Sequence, residues 1–205
     1  MYDNEMKYVV GLGNPDEEYE GTRHNVGRDV VDAFAKKIES DGFDYDKKSD
    51  AFYAEGKCVK EKVVLIKPET YMNLSGKSVK KWVTSKKKAK ELVVVYDELD
   101  MPLGKLKISF GKSSGGHKGV ESIIKSIGTK EFIRLRVGIS PKTPTGKIKK
   151  IADDEKVVKH VLSKFTPKEI DLYKKVKKKA VEAIEIIVTK DYLTASNVIN
   201  GWSGK

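Results

Sequence analysis

His24 lies in the stretch GTRHNVG (21–27), between Arg23 and Asn25, with glycines on both sides. Such a flexible polar loop suits an imidazole that acts as a base, or one that merely occupies a loop. Asp97 closes the apolar run LVVVYD (92–97), where a carboxylate is costly without a partner. A His24–Asp97 pair would meet both needs. The carboxylate would fix the imidazole tautomer, and the other ring nitrogen could take a proton from water. By composition Glu98 and Asp100 are equally available, and Asp97 could also be a turn carboxylate. No serine sits in a G-x-S-x-G elbow, and Cys58 lies in a strand-like stretch with nothing to activate it. Direct attack by activated water is therefore the economical hydrolytic chemistry. No two of the three histidines share ligand spacing, so no metal is expected.

Other polar residues gather in loops that follow apolar stretches, at 11–25, 67–78, 96–104 and 113–120. In open α/β sheets, sites form where such loops converge beyond the strand ends. Gly11 and Gly13 begin a dinucleotide fingerprint, but Asp16 takes the place of its third glycine and Pro15 interrupts it. The glycines instead let the chain turn sharply and aim Asn14 inward. In TYMNLSGKS (70–78) the Asn73 amide can donate and accept at once, which suits a peptide backbone. Tyr71 and Met72 would form an apolar wall. Alternatively, Met72 and Leu74 are core residues and Asn73 a turn residue.

The elements that must position these loops follow from hydrophobic period. Strands are predicted at 8–14, twice within 51–68, and at 91–99, 103–111 and 132–140. Helices are predicted from Val26 to Ile38, over 76–88 and 115–128, and over 154–163, 167–189 and 191–199, after a loop holding Pro141, Pro144 and Gly146. Thr166, Pro167 and Glu169 would open the long helix with a capping box. Strands alternating with helices give an α/β fold: one domain over 1–205, a mixed, largely parallel central sheet flanked by helices, and a helical C-terminal segment.

The net charge is +11, with 37 lysines among 41 basic residues. Residues 142–180 hold thirteen lysines against five acids, and 77–90 hold seven lysines and no acid. Such runs suit a phosphate backbone, although they also suit solvated helix faces. No apolar run is long enough to span a bilayer. The N-terminus lacks the basic-then-apolar layout of a secretory signal, and one cysteine fits a reducing, cytoplasmic compartment.

VVGLGNPDEEYEGTRHNVG, KPETYMNLSGKS, VVVYDELDMPLGKLKI, SGGHKGVESI and FIRLRVGI occur in the order found in bacterial-type peptidyl-tRNA hydrolase, which the chain resembles over most of 7–140. The basic KVVKHVLSKF (156–165) resembles that family's C-terminal segment. The resemblance implies a monomeric α/β enzyme that uses no metal or cofactor and has tRNA as its partner. It would cleave the ester between a peptide and the 3′ ribose of tRNA. His24 resembles the general base, Asp97 the acid that orients it, and Asn14 an asparagine beside it. Tyr19 and Tyr71 match aromatic positions flanking the cleft, and Met72 and Asn73 match its floor. Backbone N–H groups of the SGGH turn, including Gly116, or the Asn73 amide would support the developing oxyanion. Lys107 and Arg134 would contact tRNA phosphates. Lys118 stands where the family normally carries asparagine; if close to His24, it would favour the neutral imidazole. The alternatives are an RNA-binding relative that has lost activity and a nucleotide-cofactor enzyme.

Overall fold

A computed structural model describes residues 6–142, 148, 151 and 153–204. Pro144 and Gly146 of the anticipated loop lie outside them. The strands are β1 (Lys7–Gly11), β2 (Asp44–Asp46), β3 (Ala51–Cys58), β4 (Glu61–Pro68), β5 (Leu92–Pro102), β6 (Leu106–Phe110) and β7 (Ile133–Ser140). The helices are α1 (Val26–Lys37), α2 (Ser75–Lys80), α3 (Lys86–Lys90), α4 (Lys118–Ile127), α5 (Asp154–Val161), α6 (Pro167–Thr189) and α7 (Tyr192–Ile199). The strands form one sheet in the order β2-β3-β4-β1-β5-β7-β6. Its centre, β4-β1-β5-β7, is parallel, while β3 and β6 run antiparallel to their neighbours, as does the short β2. The mixed sheet is as anticipated from sequence.

Both faces of the sheet are covered. Val9, Val93, Val95 and Leu135 meet α1, α6 and α7 through Val30, Phe34, Ile184 and Ile199. On the other face Val10, Val94 and Tyr96 meet Val79 of α2 and Val120 and Ile123 of α4. Alternate residues of one strand thus serve two cores. From β1 the chain passes to β2, β3 and β4 on one side, then crosses to β5 on the other. That reversal opens a crevice at the C-terminal tips of β1 and β5, the usual binding position in open α/β sheets.

Two elements differ from the sequence reading. The helix expected over 76–88 is two helices, α2 and α3. The second starts afresh because the Ser85 hydroxyl accepts from the Lys88 N–H as an N-cap. The acidic β2 was not anticipated; Asp44, Tyr45 and Asp46 carry little apolar signal and pair only along the edge of β3. The capping pair at 166 and 169 is present, with Glu169 accepting from the Thr166 N–H at 2.9 Å. No helix among the described residues is long and apolar enough to cross a membrane.

Candidate active site

His24 sits in a single 3-10 turn, Arg23–Asn25, directly before α1. Asp97 lies midway along β5, just beyond the end of its pairing with β1, and is buried. The His24 Nδ1 is 2.8 Å from Asp97 Oδ1. A second histidine reaches the same oxygen, with His117 Nε2 at 3.0 Å. The His117 tautomer follows from its other nitrogen. Nδ1 accepts from the Val120 N–H as the N-cap of α4, so Nε2 carries the proton and donates to Asp97. Asp97 is acceptor-only when ionised, so the His24 Nδ1–H donates as well, leaving Nε2 as the nitrogen available to water. Burial opposes ionisation of Asp97, but the charges and hydrogen bonds of His24 and His117 overcome it and hold the carboxyl well below its usual range. Burial also disfavours the charged His24 ring; the Asp97 charge and hydrogen bond together outweigh it, and the imidazole pKa is raised above 6.5.

The ligating atoms of His24, Asp97 and His117 lie within 4.8 Å of one another, a spacing that a cation could use. Linear spacing of the histidines gave no sign of this. The donors are nevertheless matched without a cation: both rings meet one carboxylate oxygen at hydrogen-bond length, and the remaining His117 nitrogen caps α4.

The His24 turn is tied to the C-terminal helices. The Arg23 N–H donates to the Ser163 carbonyl, and Thr22 bridges Lys164. The buried Arg23 guanidinium donates to Glu169 at 2.7 Å, the Ser163 hydroxyl at 3.2 Å and the Ile139 carbonyl at 3.4 Å, and packs over the Phe165 ring. His160 on α5 also donates to the Ile139 carbonyl. One guanidinium therefore joins the β7 tip, the α5–α6 junction and the His24 turn.

Asn14 is held from both sides. Its backbone exchanges hydrogen bonds with the Asn25 side chain at 2.9 and 3.0 Å. Its Oδ1 accepts from the Met72 N–H at 2.9 Å, so Nδ2 is the group left to donate. Met72 is buried beneath this contact, whereas Tyr71, Asn73 and Leu74 are exposed. The alternative reading thus holds for Met72, a core residue, and for Asn73, which lies in a 3-10 turn, and fails for Leu74. Tyr19 ends a short 3-10 turn, Glu17–Tyr19, and is half-buried. In the SGGH turn, the Gly116 N–H donates to the Ser114 hydroxyl and the His117 N–H to the Ser114 carbonyl. Those two N–H groups are already committed, contrary to the oxyanion role anticipated for them.

The profile of the family described as "Peptidyl-tRNA hydrolase" matches residues 8–205. The chain belongs to the peptidyl-tRNA hydrolase family. It is 40% identical over 196 residues to the peptidyl-tRNA hydrolase of Halalkalibacterium halodurans, covering 95% of this chain and 100% of that protein. It is 47% identical over 183 residues to that of Aquifex aeolicus, covering 88% of each. The crystal structure of peptidyl-tRNA hydrolase from Acinetobacter baumannii superposes with a TM-score of 0.86 at 32% identity, covering 98% of this chain and 97% of that one.

Within this peptidyl-tRNA hydrolase fold, two expectations change. Arg134 is only 2% exposed and donates to the Ser113 carbonyl, so its guanidinium braces the 113–120 loop rather than facing solvent. Lys107 is exposed on β6, opposite Arg136 in register, and Arg136 pairs with Glu98. Lys118 opens α4 and is exposed. It does not set the His24 proton affinity, which is governed by burial and Asp97, and the net shift is upward.

Sequence reasoning missed His117, Asn25 and Arg23. The first had a usable signal: a histidine between two glycines and a helical pattern occupies an N-cap position. Arg23 had none, because Glu169 lies 146 residues away, and Asn25 had none, because it meets the Asn14 backbone only once the intervening loop has folded.

Proposed function

We propose that this chain hydrolyses the ester joining a peptide to the 3′ ribose of tRNA. The observation that carries the reading is the 2.8 Å contact between His24 and the buried Asp97. His24 Nε2 takes a proton from water, and the resulting hydroxide attacks the ester carbonyl carbon. The tetrahedral intermediate expels the ribose 3′ oxygen, which receives the proton back from the His24 imidazolium. Asp97 keeps Nδ1 protonated throughout and stabilises the imidazolium. The Asn14 Nδ2 group and the unpaired first-turn N–H groups of α4 are donors for the developing oxyanion. Tyr19, Tyr71 and Asn73 flank the substrate, and exposed lysines, Lys107 among them, hold tRNA phosphates without reading sequence. No metal or cofactor enters these steps, and one copy of the chain carries the whole site.

Hydrolysis of N-blocked aminoacyl-tRNA tests this. The native chain turns over, and His24→Ala lowers the rate by roughly 10²–10⁴-fold while tRNA affinity stays within about twofold. Unchanged turnover in His24→Ala removes His24 from the chemistry. Lys118 supplies donors only where asparagine would also accept, so Lys118→Asn changes KM rather than creating activity. A native chain that is inert until Lys118→Asn is made contradicts the proposal.

A further inference from the structure

Beside the active site of this basic chain lies an acidic groove. On the β6 side of the site the exposed cations include Lys105 and Lys107. On its β4-β3-β2 side lie two adjoining clefts of about 470 and 520 Å³ that share Asp16, Phe52 and Glu69. The inner cleft begins at Asn14 and Asn25, in the active site. The outer one ends at Tyr45 and Tyr71, two tyrosines that are more than half exposed. Together the clefts are lined by seven carboxylates and only two cations, Arg28 and Lys67. Each cation is paired with a lining carboxylate, Arg28 with Glu69 and Lys67 with Asp32, so five of the seven carboxylates have no cation of the lining beside them.

We propose that this groove seats the peptide moiety of the substrate and favours peptides with lysine or arginine in the residues just upstream of the ester. The proposal rests on the hydrolase reading given above. Three observations select the occupant. The groove is continuous with Asn14, so what fills it is joined to the reacting ester. Its negative potential repels phosphates, so the tRNA takes the opposite side. Its walls combine carboxylates with exposed aromatic faces, both of which attract ammonium and guanidinium groups. The Tyr45 hydroxyl donates to Asp50 at 2.8 Å and its ring packs 5.5 Å from Phe52, which keeps that face in position.

The sign of the effect separates the groove from the molecule as a whole. A chain of net charge +11 favours acidic peptides by its overall field; the groove reverses that preference. The test uses uncleavable 3′-amide analogues of one peptidyl-tRNA that differ only in carrying Lys-Lys or Glu-Glu upstream of the linked residue. Fluorescence anisotropy at low salt reads binding to the native chain and to Glu17→Lys/Glu20→Lys, which alters two exposed lining residues. The native chain prefers the lysine analogue by about three- to tenfold, the effect of a few exposed charge pairs, and the double variant loses or inverts that preference. A native ratio near one, or one that favours glutamate, overturns the proposal, as does a lysine preference that survives in the variant. Turnover of the matching esters is read separately. Discrimination without turnover keeps the groove and sinks the hydrolase reading; turnover without discrimination does the reverse.

Discussion

At the residue scale the site depends on one carboxylate facing two imidazoles. The proposed mechanism needs a neutral His24, whose pKa lies above the ordinary 6.5 because Asp97 outweighs the effect of burial. Turnover therefore rises with pH through that raised value and falls below it. In Asp97→Asn the opposing charge is gone while burial remains, so the acidic limb of the kcat/KM profile moves to lower pH. The same change removes tautomer control, and kcat falls by roughly 10²–10⁴-fold. A pH profile of both chains checks this. An inflection that stays in place or moves upward would show that Asp97 does not set the His24 proton affinity.

At the element scale the position of His24 depends on how closely α1 approaches the sheet. Gly27, in the first turn of α1, is buried, and a Cβ there would lie inside contact distance of the Val95 carbonyl and the Leu12 backbone. A methyl group has no side-chain end to displace; it must push backbone from backbone. Gly27→Ala is expected to destabilise the fold by about 1–3 kcal/mol. It would also move the Arg23–Asn25 turn away from β5 and lower kcat, since small misplacements of a catalytic group are costly. Urea unfolding and turnover measured on the same preparation check both effects. Native stability with native activity would show that the close packing of α1 does not position the base.

At the scale of the whole molecule, the charge of +11 acts through exposed lysines. tRNA affinity is expected to fall linearly in log–log form with salt, as condensed counterions are released. Lys107 is exposed, so Lys107→Ala lowers affinity and reduces the slope by about one ion. Arg134 is buried against the Ser113 carbonyl, so Arg134→Ala leaves the slope unchanged and acts through loop order and stability. Binding titrations over a range of KCl concentrations distinguish the two residues. A slope change for Arg134→Ala like that for Lys107→Ala would place its guanidinium on the phosphates.

What the sequence determined by itself was set by local physics. Apolar period and glycine placement marked β1, β5, α1 and α4, and Thr166 with Glu169 marked the start of α6. Residue chemistry drew attention to His24 and to a carboxylate in an apolar strand that needs a partner, with Asp97, Glu98 and Asp100 equally available; the family resemblance pointed to Asp97 and to Asn14. Tertiary structure decided which partners meet. His117 shares Asp97 with His24 across 93 residues only because the start of α4 packs beside the central strand β5. Arg23 reads as a polar loop residue until Glu169, 146 positions on, closes over it. Arg134 and Arg136 are alike in sequence, and only their surroundings in the sheet bury one and leave the other partly exposed. Pairings between distant residues carry no local signal, since each residue's own environment is satisfied only after the chain has packed.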